Sequence, residues 1–391
     1  MLVAPRRKTR VLEVGNVKIG GENPIVVQSM TTADTRDPKA TLEQIAKLAA
    51  AGCEVVRVAV PDRVAAAALP DIVPHSPIPV IADIHFEHTL ALSAMKAGIH
   101  GLRLNPGNIR KPEAVREVVA MAKERGTPIR IGVNYGSVPP FTDEFVDEMN
   151  AQNATQVEMR AEWMVRTGLT HIRILEDHDF GLIKVSLKAF EVPVLFEAYR
   201  RFAALPNDYP LHLGVTEAGT PRAGSVRSAV GLGTLLALGI GDTIRVSLTT
   251  DPVEEVFVGY EILKTLELRQ KGATMIACPT CGRAEVDLFS LADKVDEFLK
   301  TVDEPIRVAV MGCEVNGPGE ARDADVGLAA GRKMGVIFRK GKILKRVTEA
   351  EMLDELKAEI LRAVEDKRNG VEVESHHNPN VYKPTLTLTS V

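Results

Sequence analysis

From residue 25 onward the chain repeats one unit, a short β-branched apolar run followed by a helical pattern with its own punctuation. Eight such runs stand at residues 25–30, 55–60, 80–84, 101–105, 129–133, 183–188, 211–216 and 243–248. Strand and helix alternating at this spacing predict parallel βα units, and eight of them in roughly 250 residues fit an α/β fold of the closed (β/α)8 TIM type better than an open doubly wound sheet. The helices carry start and stop signals. Pro112 opens one that Gly126 closes, and Asp251-Pro252 open another that runs to about residue 270, with Gly272 closing it. A ninth apolar run, His171 to Leu175, reads as helix, because Val157, Trp163, Met164, Ile172 and Leu175 fall near helical spacing and a ninth strand would break the count.

Cationic side chains interrupt these apolar strands: Arg57 in VVRVAV, Arg103 in LRLN, Arg130 in IRIGV, Lys188 in VSLK and Arg245 in IRVSL. An unpaired cation inside a barrel is costly. Such residues are either ion-paired for structure or held for an anion at the mouth, where barrel active sites lie. Asp83, Glu176 and Glu217 are the acids available to neutralise them, Glu217 as a partner for Arg245 or Lys188, but the cations outnumber the acids. Period-two alternation puts Arg103 with Asn105, Arg245 with Ser247 and Asp83 with His85 on shared faces. So many guanidinium groups imply a multiply charged, phosphate-bearing ligand. His212, at the start of the seventh run, reads as a core residue.

After Gly272 a smaller α+β unit begins. It has a strand into Cys278, a helix at about 287–300, a strand into Cys313, a hairpin around 339–342 and an amphipathic helix at about 349–366. The expected division is a barrel domain over 1–271, a second domain over 272–370, and a mobile tail over 371–391 that has no pattern able to bury a core. Two stretches of the second domain carry chemistry: Cys278-Pro279-Thr280-Cys281-Gly282-Arg283, and Met311 to Glu320 with the sequence MGCEVNGPGE. Two thiolates three residues apart reach one centre only across a turn, which Pro279 and Gly282 favour. Cys313, just after an apolar run, delivers a third sulfur to the same place. Structural zinc takes four Cys or His ligands, yet no His lies between residues 213 and 375, and Cys53 reads as a small buried hydrophobe. The missing ligand is then an oxygen or an exogenous group, and Glu320 is the nearest carboxylate whose chain path bends back, after the Asn316-Gly317-Pro318-Gly319 turn. A hard carboxylate among soft thiolates suits the displaceable iron of a catalytic iron–sulfur cluster.

Composition narrows the field further. The chain has 391 residues, 45% of them hydrophobic, and a net charge of −4, which offers no long-range attraction to nucleic acid or anionic membrane. No apolar run reaches transmembrane length. The opening MLVAPRRKTR has no apolar segment behind its charges, so it does not read as a secretory signal. Four cysteines in so long a chain, the paired ones beside proline and glycine, point to a reducing cytoplasm and metal binding over disulfides.

At these motifs the chain resembles the bacterial 4-hydroxy-3-methylbut-2-enyl diphosphate synthase family of the non-mevalonate isoprenoid pathway. The resemblance runs from about residue 28 to about residue 365 and rests on CPTCGR, MGCEVNGPGEA, ADIHF, LRLNPGN, HLGVTEAG and GIGDTIRVSL; Thr280 stands where the family more often has Gly. It implies a 4Fe-4S cluster on Cys278, Cys281, Cys313 and Glu320. It also implies that Arg57, Asp83, Arg103, Asn105, Arg130, Asn134, Lys188, Arg245 and Ser247 surround 2-C-methyl-D-erythritol 2,4-cyclodiphosphate. Glu217 is then the proton donor, Glu320 the iron ligand that yields to substrate, and flavodoxin or ferredoxin the source of two electrons for a reductive ring opening. Chain direction and the resemblance together imply a head-to-tail homodimer: the helix after the eighth strand ends far from the mouth, so each second domain would cap the partner's barrel. Two other readings stand beside this one, a non-redox, pterin-binding-like barrel transferase with a structural zinc domain, and a phosphate-ligand sensor that uses a cluster to read oxygen or iron.

Overall fold

Ahead of the first βα unit lies a hairpin that the sequence pattern did not disclose. Strands β1 (Leu12–Val14) and β2 (Val17–Ile19) pair antiparallel about Gly15, whose φ of +59° no side chain could share comfortably with Pro79 and His100 so close. The structure is a computed structural model that describes residues 3–85, 87–109, 111–281, 284, 286–313 and 321–371. Val14 and Ile19 of the hairpin pack on Val26, Val55 and Ile81 at the N-terminal ends of three barrel strands, which gives the barrel a floor. The segment before the hairpin is tied to a distant part of the chain. Arg6 pairs with Asp242 at 2.9 Å, Arg7 donates to the carbonyl of Tyr209 at 3.0 Å, and Ala4 N–H donates to Ala237 O at 2.8 Å.

All eight expected runs are strands: β3 (Val26–Met30), β4 (Val55–Ala59), β5 (Val80–Asp83), β6 (Gly101–Arg103), β7 (Ile129–Asn134), β8 (Ile183–Lys188), β9 (His212–Leu213) and β10 (Thr243–Ile244). They form one parallel sheet in the order β8-β7-β6-β5-β4-β3-β10-β9, and a bridge from Val185 to Leu211 brings its two ends together. Helices α1 (Pro38–Ala51), α2 (Arg63–Ile72), α3 (His88–Lys96), α4 (Pro112–Arg125), α5 (Asp143–Ala151), α6 (Gln156–Glu176), α7 (Val192–Ala204), α8 (Pro221–Ala237) and α9 (Pro252–Thr265) return the chain between strands. The run from His171 to Leu175 belongs to α6, which a capping box between Thr155 and Glu158 starts.

One boundary differs from expectation. Helix α9 stops at Thr265, short of residue 270, because Glu267 turns left-handed at φ +56° and Leu268 N–H closes back onto Leu263 O at 3.0 Å. Arg269 then donates to Ile25 O at 2.8 Å and to Glu54 at 2.6 Å, which fastens the chain to the N-terminal end of β3.

Two compact units result, Met1–Arg269 and Gln270–Val391. The second has a five-stranded sheet in the order β11 (Thr274–Ala277), β12 (Arg307–Met311), β13 (Val326–Ala330), β14 (Met334–Arg339), β15 (Lys342–Thr348). The first three are parallel, and the last two form the expected hairpin, with Lys340 and Gly341 both at positive φ. Strand β13 was not foreseen. Its glycine and alanines carry little strand preference, and Gly327 is there because the Phe338 ring leaves no room for a Cβ. Helices α10 (Leu288–Leu299) and α11 (Met352–Arg368) bury Val295, Leu299, Leu356 and Ile360 with β12 and β13. The tail expectation for 371–391 lies outside the described residues, Val371 apart.

Candidate active site

Alternation along the barrel strands aims every second side chain into the lumen. Parallel register then aligns Asp83, Arg103, Arg130 and Lys184 on four adjacent strands, one acid in a row with three cations. Arg57, on the strand before, joins from the other side. All five are buried. Asp83 lies 3.4 Å from Arg57 Nε and 3.5 Å from Arg103 Nη1, and His85 Nε2 lies 3.6 Å away. Burial works against its charge, but the guanidiniums of Arg57, Arg103 and Arg130 outweigh burial and hold the carboxyl below its ordinary range.

The cations remain in excess. Among the described residues, Arg57, Arg103, Arg130, Lys184, Lys188 and Arg245 outnumber the carboxylates near them, Asp83, Glu255 and Asp242, the last already paired with Arg6. Glu255 comes from α9, lies 3.6 Å from Arg245, and accepts from Ser29 Oγ at 3.2 Å and Leu248 N–H at 2.9 Å. Burial and then the other cations push Arg130 and Lys188 well below their ordinary values, and burial followed by Arg130 brings Lys184 down to about 7. Lys184 Nζ, Arg130 Nη2 and Arg245 Nε have no hydrogen-bond partner among the described residues. A lumen short of negative charge and rich in unused donors is built to receive a polyanion.

Several expected residues meet here and others do not. Asn105 is locked to β7, donating to Gly132 O at 2.9 Å and accepting from Gly132 N–H at 2.8 Å, while Arg103 donates to the same carbonyl at 3.0 Å. Asn134 ends β7 and Ser247 follows β10, both half-buried. Glu217 does not neutralise Arg245 or Lys188. Glu255 is the partner of Arg245, and Glu217 stands exposed on the loop after β9 with no ion pair among the described residues. Its φ of +55° is a strained conformation for a side-chain-bearing residue, of the kind that collects at functional loops. Glu176 is spent elsewhere, accepting from Tyr209 Oη at 2.5 Å.

Lys184, Glu255, Gly132 and Gly214 were missed. Lys184 sits four residues before Lys188 on one strand face, a visible signal. The glycines were also legible, since glycine inside a strand marks close approach: a Cβ at Gly132 would lie 2.6 Å from Arg103 Nε, and one at Gly214 2.6 Å from Lys188 Nζ. Only Glu255 had no local signal.

In the second unit, Cys278 N–H donates to Val310 O at 3.1 Å as β11 ends, and Cys313 lies two residues beyond β12. Since β11 and β12 are parallel neighbours, both thiols leave the same edge of the sheet. Cys281 follows, exposed, across a turn in which Thr280 takes φ +60°. That left-handed position is one that glycine takes without strain. Among the described residues no three metal-ligating side chains are already drawn together. Glu320 lies outside the described residues. Three soft donors on one sheet edge and its following turn fit an iron–sulfur or other thiophilic centre.

A parallel barrel with a cation-lined lumen, joined to a small domain bearing three thiols on one edge, defines an anion-binding barrel enzyme with a metal-competent appendage. Residues 9–260 match the GcpE TIM-barrel domain and residues 274–362 the GcpE protein C-terminal domain. The chain belongs to the GcpE family. Relatives named 4-hydroxy-3-methylbut-2-en-1-yl diphosphate synthase (flavodoxin) include those of Dehalococcoides mccartyi, 55% identical over 91% of this chain and 98% of its own length, and Geobacter sulfurreducens, 55% identical over 93% and 99%. That of Geobacillus thermodenitrificans is 52% identical over 92% and 94%. Among solved structures, a Yersinia pestis dihydropteroate synthase overlaps 66% of this chain and 98% of its own at 11% identity and a TM-score of 0.44, too slight a likeness to carry meaning.

Proposed function

We propose that this chain reduces 2-C-methyl-D-erythritol 2,4-cyclodiphosphate to 4-hydroxy-3-methylbut-2-enyl diphosphate, with flavodoxin or ferredoxin as electron donor. The observation that carries the reading is the excess of buried cations in the lumen, in a chain that shares 52–55% identity with synthases of that name over more than nine-tenths of its length. A pterin-type transferase with a zinc appendage accounts for neither. Arg57, Arg103, Arg130, Lys188 and Arg245, with Asn134 and Ser247 at the rim, bind and orient the diphosphate. Asp83 keeps Arg57 and Arg103 in place and Asn105 braces the mouth loop against Gly132. Cys278, Cys281 and Cys313, with Glu320 as the exchangeable fourth ligand, would hold a 4Fe-4S cluster. When bound, it would pass on, one at a time, the two electrons from the flavodoxin or ferredoxin donor that ring opening and loss of a hydroxyl group as water require. Glu217, exposed on its strained loop, delivers the proton.

Anaerobic reconstitution with iron and sulfide is expected to give a brown protein that turns over the cyclic diphosphate with a strong reductant or reduced flavodoxin. A colourless zinc protein would sink the redox reading, and a brown one without turnover would favour the sensor.

The assembly we propose is a head-to-tail dimer. Arg269 fastens the chain to the floor end of the barrel, and residues 270–273, on the order of 13 Å when extended, are all that precede β11. So short a tether from the wrong end favours a partner's mouth over the chain's own. No helix among the described residues is long and apolar enough to cross a membrane, and four cysteines in a chain of 391 residues, two of them beside proline and glycine, suit a reducing cytoplasm. Mixing inactive Glu217→Gln and inactive Cys278→Ala chains under exchange conditions should regenerate activity, because one site in each mixed dimer has both halves intact. Heterodimers shown to form and yet remain dead would mean that the site is built within one chain.

A further inference from the structure

Helix α6 passes beside the mouth loop that follows β6. There the chain leaves Arg103 and turns through Pro106–Asn108, closed by Asn108 N–H donating to Asn105 O at 2.9 Å. His171, 8% exposed on α6, stands against this turn, its Nδ1 accepting from Gly107 N–H at 3.0 Å. Contact is tight: a Cβ on Gly107 would lie 2.5 Å from His171 Cε1 and 2.6 Å from Nδ1. The imidazole and the turn share the wall of a cavity of about 510 Å³, lined also by Asn108, Thr167 and Thr170. On its other side the turn continues into Asn105 and Arg103, which share the carbonyl of Gly132.

An acceptor at Nδ1 requires a neutral ring with its proton on Nε2. Burial, then Arg103, bring the imidazole down to about 4, so the acceptor persists across neutral pH. The proposed function gives this histidine no role.

We propose that His171 is a positioning residue for the diphosphate site: by holding the Gly107 N–H from α6 it fixes the Asn105–Gly107 turn, and through it the placement of Arg103 and Asn105. The inference rests on the reading of that site as the place where the cyclic diphosphate binds.

The test compares His171→Leu, His171→Asn and Arg103→Ala holoenzymes by anaerobic kinetics, by calorimetric binding of the cyclic diphosphate, and by thermal melting. His171→Leu keeps volume and removes the acceptor; it is expected to raise KM and Kd about tenfold with kcat within about twofold, the size of one lost hydrogen bond. His171→Asn, whose Oδ1 can stand where Nδ1 stood, should recover most of that affinity. Equal weakening in both, or a lower melting temperature with unchanged Kd, assigns His171 to packing and overturns the proposal. If His171→Leu does not fold, Gly107→Ala presses on the same contact and His171→Ala relieves it. The double variant binding better than Gly107→Ala alone supports the proposal, and binding no better overturns it. Arg103→Ala separates the two levels of inference. If that control binds the cyclic diphosphate as tightly as wild type, the underlying site reading has failed and the role of His171 falls with it.

Discussion

Cys278→Ala, Cys281→Ala and Cys313→Ala are each expected to lose bound iron completely and to fall to background turnover, while Cys53→Ser keeps both. The asymmetry is physical. Cys53 is 2% exposed in the barrel core, its Sγ donates to Val55 O at 3.2 Å, and burial pushes its thiol up to about 12. A thiol held protonated among hydrophobes is no metal ligand. The other three leave one sheet edge or the turn beside it, at least partly open to solvent. With only three soft donors in the set, removing any one leaves too few to retain a cluster. Iron and acid-labile sulfide per chain measure this directly. If Cys53→Ser alone strips the iron, or if any of the three alanine variants keeps its full complement, the ligand assignment is wrong.

Asp83→Asn should be the most destabilising change in the barrel, by about 3–5 kcal/mol, because removing one partner of a buried ion pair leaves the other uncompensated. Here two guanidiniums, Arg57 and Arg103, lose their shared carboxylate in a lumen already overloaded with positive charge. Urea unfolding without substrate reads the loss. Saturating cyclic diphosphate should narrow the gap, since the anion binds the folded form only. The pH dependence has a definite sign. Asp83 is held below its ordinary value of 3.8, so its contribution is fully present above about pH 4 and disappears as pH falls through the lower, folded value. Wild type and variant should therefore converge only in strong acid. Equal urea midpoints at neutral pH would mean that Asp83 is not the keystone of this cluster.

The barrel was legible because short apolar runs, most of them rich in β-branched residues, alternate at a steady spacing with helical patterns that carry their own start and stop signals. What escaped had either too little length or too little local signal. Strands β1 and β2 are three residues each, and β13 is half small residues that become a strand only between β12 and β14. In the site, five cations announced themselves by interrupting apolar runs. Lys184 did so too, but it was eclipsed by Lys188 on the same strand. Glu255 could not be found from its neighbourhood: it lies on an ordinary amphipathic helix, and only closure of the barrel brings it to Arg245. Glu217 failed as a salt-bridge partner for the complementary reason, since a left-handed backbone on an exposed loop is not visible in residue types.

The lacing of the segment before β1 has a consequence for how the chain is made. Arg6 waits for Asp242 and Arg7 for Tyr209, separations of 236 and 202 residues. At the usual 5–20 residues per second, a ribosome exposes that segment roughly 10–50 s before its partners exist. During that interval Val14 and Ile19 can find Val26, Val55 and Ile81, and Arg6 can reach the Asn23 carbonyl, but neither arginine has its distant partner. The stretch therefore serves as a late latch: it is synthesised early and seated last. A truncated translation product that ends before Asp242 keeps it loose, which leaves an unfinished barrel with a protease-sensitive strap that a finished one does not offer.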